Sequence, residues 1–151
     1  MRLTTHPIHP PLVHFPIALL GTSLLFDVVG LVREDPVWWA IAFWNIALGL
    51  AVAVVTASTG LFDSPKVPEQ SPASPVVIRH LSAMAGALTL YGAALAVRAG
   101  PAAPQGWQVT ATLTLELAGL VLLVLGGFWG GELVYRHGIG RLPDDDETQG
   151  G

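Results

Sequence analysis

Four long apolar segments constrain this chain more than any other feature. A helix needs roughly 20 mostly apolar residues to cross a bilayer. Stretches at about residues 12–32, 37–62, 76–97 and 109–133 meet that length. The first contains one charge, Asp27, and the second none. Arg79 lies near the start of the third, while Glu116 lies inside the fourth and Glu132 at its end. Only 12% of the residues are charged, and the mean hydropathy is +0.57. Ordinary soluble domains carry about 25% charged residues, so too few remain here to cover a surface in water. Lipid is the expected solvent. The expected fold class is all-α, a single four-transmembrane-helix bundle over residues 1–142, with an acidic flexible tail at 143–151.

The breaks are punctuated by helix-breaking residues. "REDP" at 33–36 is a short polar turn, and "DSPKVPEQSPASP" at 63–75 and "RAGPAAPQG" at 98–106 are loops. Pro16 falls in the first turn of the first helix, where a missing N–H costs no hydrogen bond. The helix is therefore expected to start near His14, with "THPIHPP" as an extended lead-in. That first span lacks a strong basic n-region and a small-residue cleavage site, so it is expected to be retained rather than removed as a signal peptide. A weak two-plus-two resemblance links the halves, each with a histidine near a helix start.

Four spans return the C-terminus to the side that holds the N-terminus. Arg2, Lys66, Arg79, Arg136 and Arg141 then share that side, against Arg33 and Arg98 on the other. By the positive-inside rule the termini are expected to be cytoplasmic, in a bacterial inner membrane. Trp38, Trp39 and Trp107 fall at one membrane boundary and Trp129 at the other, the depth indoles prefer.

Cysteine is absent. That excludes disulfides, thiolate-held iron–sulfur clusters, covalent haem attachment and cysteine-based zinc sites. The net charge of −4 owes much to "PDDDE" near the C-terminus, and no basic patch with interleaved aromatics occurs. Nucleic acid is therefore not an expected partner.

The same threading brings all five histidines to one membrane face. His6, His9 and His14 precede or open the first helix, His80 opens the third, and His137 follows the fourth. One reading is structural, because polar side chains belong at membrane edges. The other is a ligand cluster. His80 and Met84 share a helix face at i, i+4 spacing, the separation of a haem or soft-metal ligand pair, although such a methionine also serves as packing. Haem iron would be held between helices by His14, His80 and His137, with Met84 as a further candidate. A transition metal would draw on His6, His9, His14, His80 and His137, with Asp63 or Glu132 completing the shell. Glu132 and Arg136 are also spaced to pair. Gly126/Gly130 and Gly127/Gly131 allow a neighbouring helix, or a flat macrocycle, to approach closely. Gly49, Ala53, Thr56 and Gly60 form a packing stripe.

Two acids remain inside the membrane, Asp27 and Glu116, with Asn45 at similar depth. An ionisable group there is costly unless paired or hydrated. The two can share a proton, or form a structural hydrogen bond with Asn45 as partner.

"HPIHPPLVHFPIALLGTSLLFDVVGL" at the start, "TGLFD" closing the second helix, a histidine opening the third and "GGFWGGELVYRHGIG" closing the fourth resemble the bacterial domain of unknown function 2231 family over about residues 6–141. The matching positions are His9, His14, Asp27, Asp63, His80, Glu132 and His137. The resemblance implies a membrane protein with no assigned reaction. Some relatives are joined to Rieske-type iron–sulfur domains, which implies electron transfer. This chain has no such domain, so a separate redox protein or a quinone would be the partner.

The leading expectation is thus a small membrane protein that binds haem b or a transition metal through its histidines, as an electron-transfer module. The alternatives are an accessory subunit of a membrane complex without a cofactor, and a proton or metal-ion transporter using Asp27 and Glu116. No nucleophile–base constellation or phosphate-binding loop suggests catalysis. Oligomerisation through the glycine-rich helix faces is a further expectation.

Overall fold

A computed structural model describes residues 9–63, 67–68 and 70–139. The described residues form five helices: α1 (His9–Leu12), α2 (His14–Arg33), α3 (Pro36–Asp63), α4 (Ser74–Arg98) and α5 (Trp107–Tyr135). The four long ones are each long and apolar enough to cross a membrane. The chain is an all-helical membrane protein, and the spans start and end within two residues of the sequence expectation.

From His9 onward the lead-in departs from expectation, while its residues 5–8 lie outside the described residues. His9–Leu12 makes one helical turn rather than an extended strand, closed by Val13 N–H donating to the His9 carbonyl at 3.2 Å. Pro10 and Pro11 fit a first turn because no intrahelical bond is asked of their nitrogens. α2 then begins at His14, with Pro16 buried in its first turn.

The polarity of the bundle is that of a protein in lipid. Phe15, Leu25, Val32, Trp44, Val54, Val124 and Phe128 face outward, whereas Ser23, Asp27, Thr56, Arg98, Thr112 and Glu116 are buried. Hydroxyls on the outer surface bond to their own helix, Thr22 to the Ala18 carbonyl at 2.7 Å and Thr89 to that of Ala85 at 2.8 Å. With no water in hydrocarbon to accept a hydroxyl proton, the backbone carbonyl four residues back is the available acceptor.

The weak likeness between the halves becomes a register in the structure. Moving 71 residues from buried Pro16, Leu20, Ser23 and Asp27 of α2 reaches Ala87, Tyr91, Ala94 and Arg98 of α4, all buried. Moving 70 residues from buried Ala42, Ile46, Gly49, Ala53 and Thr56 of α3 reaches Thr112, Glu116, Gly119, Leu123 and Gly126 of α5, again all buried. The close approaches repeat too. A Cβ on Gly49 would meet Leu20 and Leu19, and one on Gly119 would meet their equivalents Tyr91 and Leu90. The chain is therefore two helical hairpins of one design, α2–α3 and α4–α5, with α2 also touching α5 and α3 touching α4. The first helices of both hairpins start at the same end. The halves are thus a parallel repeat about an axis along the bundle, an arrangement known from membrane transporters.

The core follows from this. Leu20, Ile46, Ala87, Tyr91 and Leu123 meet in the middle. A second cluster of Ala73, Val76 and Leu133, flanked by Trp129, closes the end that holds the histidines.

Candidate functional site

The histidines at the α2-start end divide into two kinds. His9 and His80 occupy matching positions, 71 residues apart at the entrance of each hairpin. The Nδ1 of His9 lies 3.0 Å from the carbonyl of Thr56 and 2.9 Å from Thr59 Oγ1. The Nδ1 of His80 lies 2.8 Å from the carbonyl of Gly126. Thr56 and Gly126 are themselves matching positions. A backbone carbonyl only accepts, so Nδ1 carries a proton in both rings, and whenever a ring is neutral its lone pair sits on Nε2. Thr59 already donates to the Thr56 carbonyl at 2.7 Å, which leaves its oxygen to share the His9 proton.

The ring seats repeat one helical turn further on. Gly60 lies under His9, where an added Cβ would come within 2.8 Å of Cε1. Gly130 lies under His80, where it would come within 3.1 Å of Cε1. Each imidazole thus rests on a glycine of the second helix of its own hairpin and is anchored four residues earlier.

The other histidines are held differently. His14 is exposed, and its Nδ1 reaches only the Pro11 carbonyl at 3.3 Å. His137 is half-buried, and its side chain has no partner among the described residues. Glu132 pairs with Arg136 at 2.9 Å, as its spacing foretold. Met84 packs against Gly126 at the edge of the central cluster. His6 and the side chain of Asp63 lie outside the described residues. Among the described residues no three histidine or acidic side chains converge as a metal site.

A second polar group lies toward the opposite end, and its central residue escaped the sequence reading. Arg98, expected in a loop, is the last residue of α4 and is turned inward. Its Nη1 lies 2.5 Å from Asp27 Oδ2 and 3.6 Å from Glu116 Oε1, with all three side chains fully buried. Its Nη2 donates to the Trp39 carbonyl at 2.5 Å, and the guanidinium lies 5.8 Å from the centre of the Trp39 ring. Ser23 donates to Glu116 Oε2 at 3.2 Å. Trp39 is therefore a buried wall of this cluster, 5% exposed, rather than an indole in the lipid interface. Asn45 is not the partner of either acid: it donates to Thr22 Oγ1 at 3.1 Å. Asn45 and Thr22 face the outer side of the α2–α3 seam, whereas the acids face the axis, so one side chain could not serve both.

The missed signal was the register of the repeat. Asp27 follows His9 by the same interval at which Arg98 follows His80.

No curated protein and no solved structure matches the chain. A family model described as "Predicted membrane protein (DUF2231)" matches residues 5–143. That match takes in all four candidate spans and both polar clusters, and the chain belongs to this family of predicted membrane proteins.

Proposed function

We propose that the chain is a membrane-embedded electron-transfer module that binds haem b, with His9 and His80 as the ligand pair. One observation carries the reading: two imidazoles related by the internal repeat are anchored through Nδ1 to helix carbonyls. A metal-binding histidine characteristically donates its second ring N–H to a carbonyl or carboxylate, which fixes the ring and its lone pair.

The donor set favours haem over a bare metal ion. Haem b can be held by a pair of imidazoles, and His9 and His80 would be the residues to hold it. A structural zinc site needs four, which the described residues do not bring together. When bound, the haem would supply one-electron exchange at its iron. The protein's own part is to hold both rings, to fix their protons on Nδ1, and to wall the site with the apolar cluster of Ala73, Val76 and Leu133. In this reading the termini are cytoplasmic, and the electron partner is a separate redox protein or a quinone.

The test is an absorption spectrum of protein purified from haem-replete cells, oxidised and then dithionite-reduced. A Soret band with a reduced α-band is expected. It should be lost in His9→Ala and His80→Ala and kept in His14→Ala and His137→Ala. A colourless protein from replete cells overturns haem. If it also lacks stoichiometric metal, the accessory-subunit reading takes its place.

A further inference from the structure

The buried Asp27–Arg98–Glu116 cluster plays no part in the histidine site, and its charges do not balance. Two carboxyl groups face one guanidinium, all at zero side-chain exposure. Among the described residues, the side chains seen against the cluster are neutral: Ser23 of α2 donates to Glu116, and the Trp39 ring of α3 lies 5.8 Å from the Arg98 guanidinium. Two ionised carboxylates would leave one uncompensated negative charge buried inside a lipid-embedded protein, which is strongly unfavourable.

The hydrogen bonding is incomplete in a matching way. Asp27 Oδ2 takes Arg98 Nη1, and Glu116 Oε2 takes Ser23. The remaining oxygens, Asp27 Oδ1 and Glu116 Oε1, are buried acceptors with no hydrogen-bond donor. The two carboxyl groups converge on the same nitrogen, Arg98 Nη1. A single added proton corrects both deficits. It neutralises the cluster, and it lets one carboxyl donate to the other.

We propose that Asp27 and Glu116 hold one exchangeable proton between them, opposite Arg98, as a built proton-binding site within the membrane. Trp39 separates this site from a pocket of about 230 Å³ lined by Gly30, Leu31, Glu34, Pro36 and Trp39. That pocket opens at the end of the bundle away from the histidines and gives water an approach to within one indole of Arg98. The site is independent of any cofactor at His9 and His80.

Infrared spectroscopy of the intact protein at neutral pH tests this directly. The difference spectrum of wild type minus Glu116→Gln is expected to contain one protonated-carboxyl C=O band, because the carboxyls of a bound cofactor cancel. The band should shift when H2O is replaced by D2O. It should be missing from Asp27→Asn as well, since one remaining acid and one arginine already balance. The wild-type D2O shift does not depend on the variants folding. No protonated-carboxyl band in the wild type overturns the proposal. So does a band that persists in both acid variants, or one that D2O leaves in place.

Discussion

Asp27 and Arg98 stand at equivalent points of two repeated hairpins, each eighteen residues beyond an anchored histidine, and they pair with each other across the repeat axis at 2.5 Å. An internal repeat normally places like beside like at its axis. Here one copy carries an acid and the other a base, so the symmetry of the backbone becomes attraction rather than repulsion. The pair fastens the two hairpins at one end, as the apolar cluster around Leu20 and Tyr91 does in the middle.

Removing one member of this pair should cost far more than an exposed ion pair would. Arg98→Met leaves two buried acids, and Asp27→Ala leaves Arg98 with Glu116 at 3.6 Å. Deleting one partner of a buried pair and leaving the other uncompensated costs about 3–5 kcal/mol, the expectation for Arg98→Met, whereas Asp27→Ala leaves one acid balanced by one arginine and should cost less. The reversed pair, Asp27→Arg with Arg98→Asp, should be more stable than either single substitution, with a coupling of about 0.5–3 kcal/mol. Thermal unfolding in detergent, followed by circular dichroism, compares the wild type, Asp27→Arg, Arg98→Asp and the reversed pair. Strict additivity would show that the two side chains do not act as a pair.

The glycines of α4 and α5 predict opposite signs for one chemical change. A Cβ on Gly119 would lie 2.9 Å from the Tyr91 ring, which is fully buried and has no room to retreat. Gly119→Ala should therefore destabilise by about 1–3 kcal/mol, the usual cost of overpacking. Gly92 has nothing within 4 Å of its would-be Cβ. Gly92→Ala should stabilise by up to about 1 kcal/mol, because glycine is a poor helix former. The same unfolding measurement in detergent compares them.

The span lengths were legible in the sequence because hydropathy is a local property summed over about 20 residues. The convergence of His9, His14, His80 and His137 at one end was legible too, because four spans fix the side on which each terminus lies. What was not legible was which histidines act together. Counting sides cannot distinguish exposed His14 from His9, whose ring rests on Gly60, because that difference depends on helix rotation. Arg98 was missed for a related reason. Its neighbours Gly100 and Pro101 read as loop, and only the register of α4 against α2 turns the side chain inward. The offset of 71 residues was available from the sequence, but the helices are apolar on nearly every face, which hides the buried positions that make the repeat visible.

Tyr91 offers a test of the cluster's surroundings. Its ring is fully buried, and its hydroxyl has no hydrogen-bond partner. A buried hydroxyl without a partner is desolvated at a cost of about 1–3 kcal/mol. Tyr91→Phe keeps the ring that packs on Gly119 and removes only that hydroxyl. The variant is expected to match or exceed the wild type in thermal stability. A loss of more than about 1 kcal/mol would reveal that the hydroxyl bonds within the cluster.

The glycine seats connect the fold to the proposed haem site. Gly60→Leu and Gly130→Leu put a side chain where the rings of His9 and His80 rest, since even a Cβ would lie 2.8 and 3.1 Å from the respective Cε1 atoms. Neither change removes a ligand atom. Both should displace an imidazole from its carbonyl anchor and so reduce the Soret absorbance per protein. Gly127→Leu is the matched control, because Gly127 lies on α5 near Gly130 but its would-be Cβ meets nothing. It should leave the spectrum unchanged. The absorbance ratio of Soret to protein bands, on samples with intact helical circular dichroism, makes the comparison. Equal haem content in the Gly60, Gly130 and Gly127 variants would separate the histidine seats from cofactor binding.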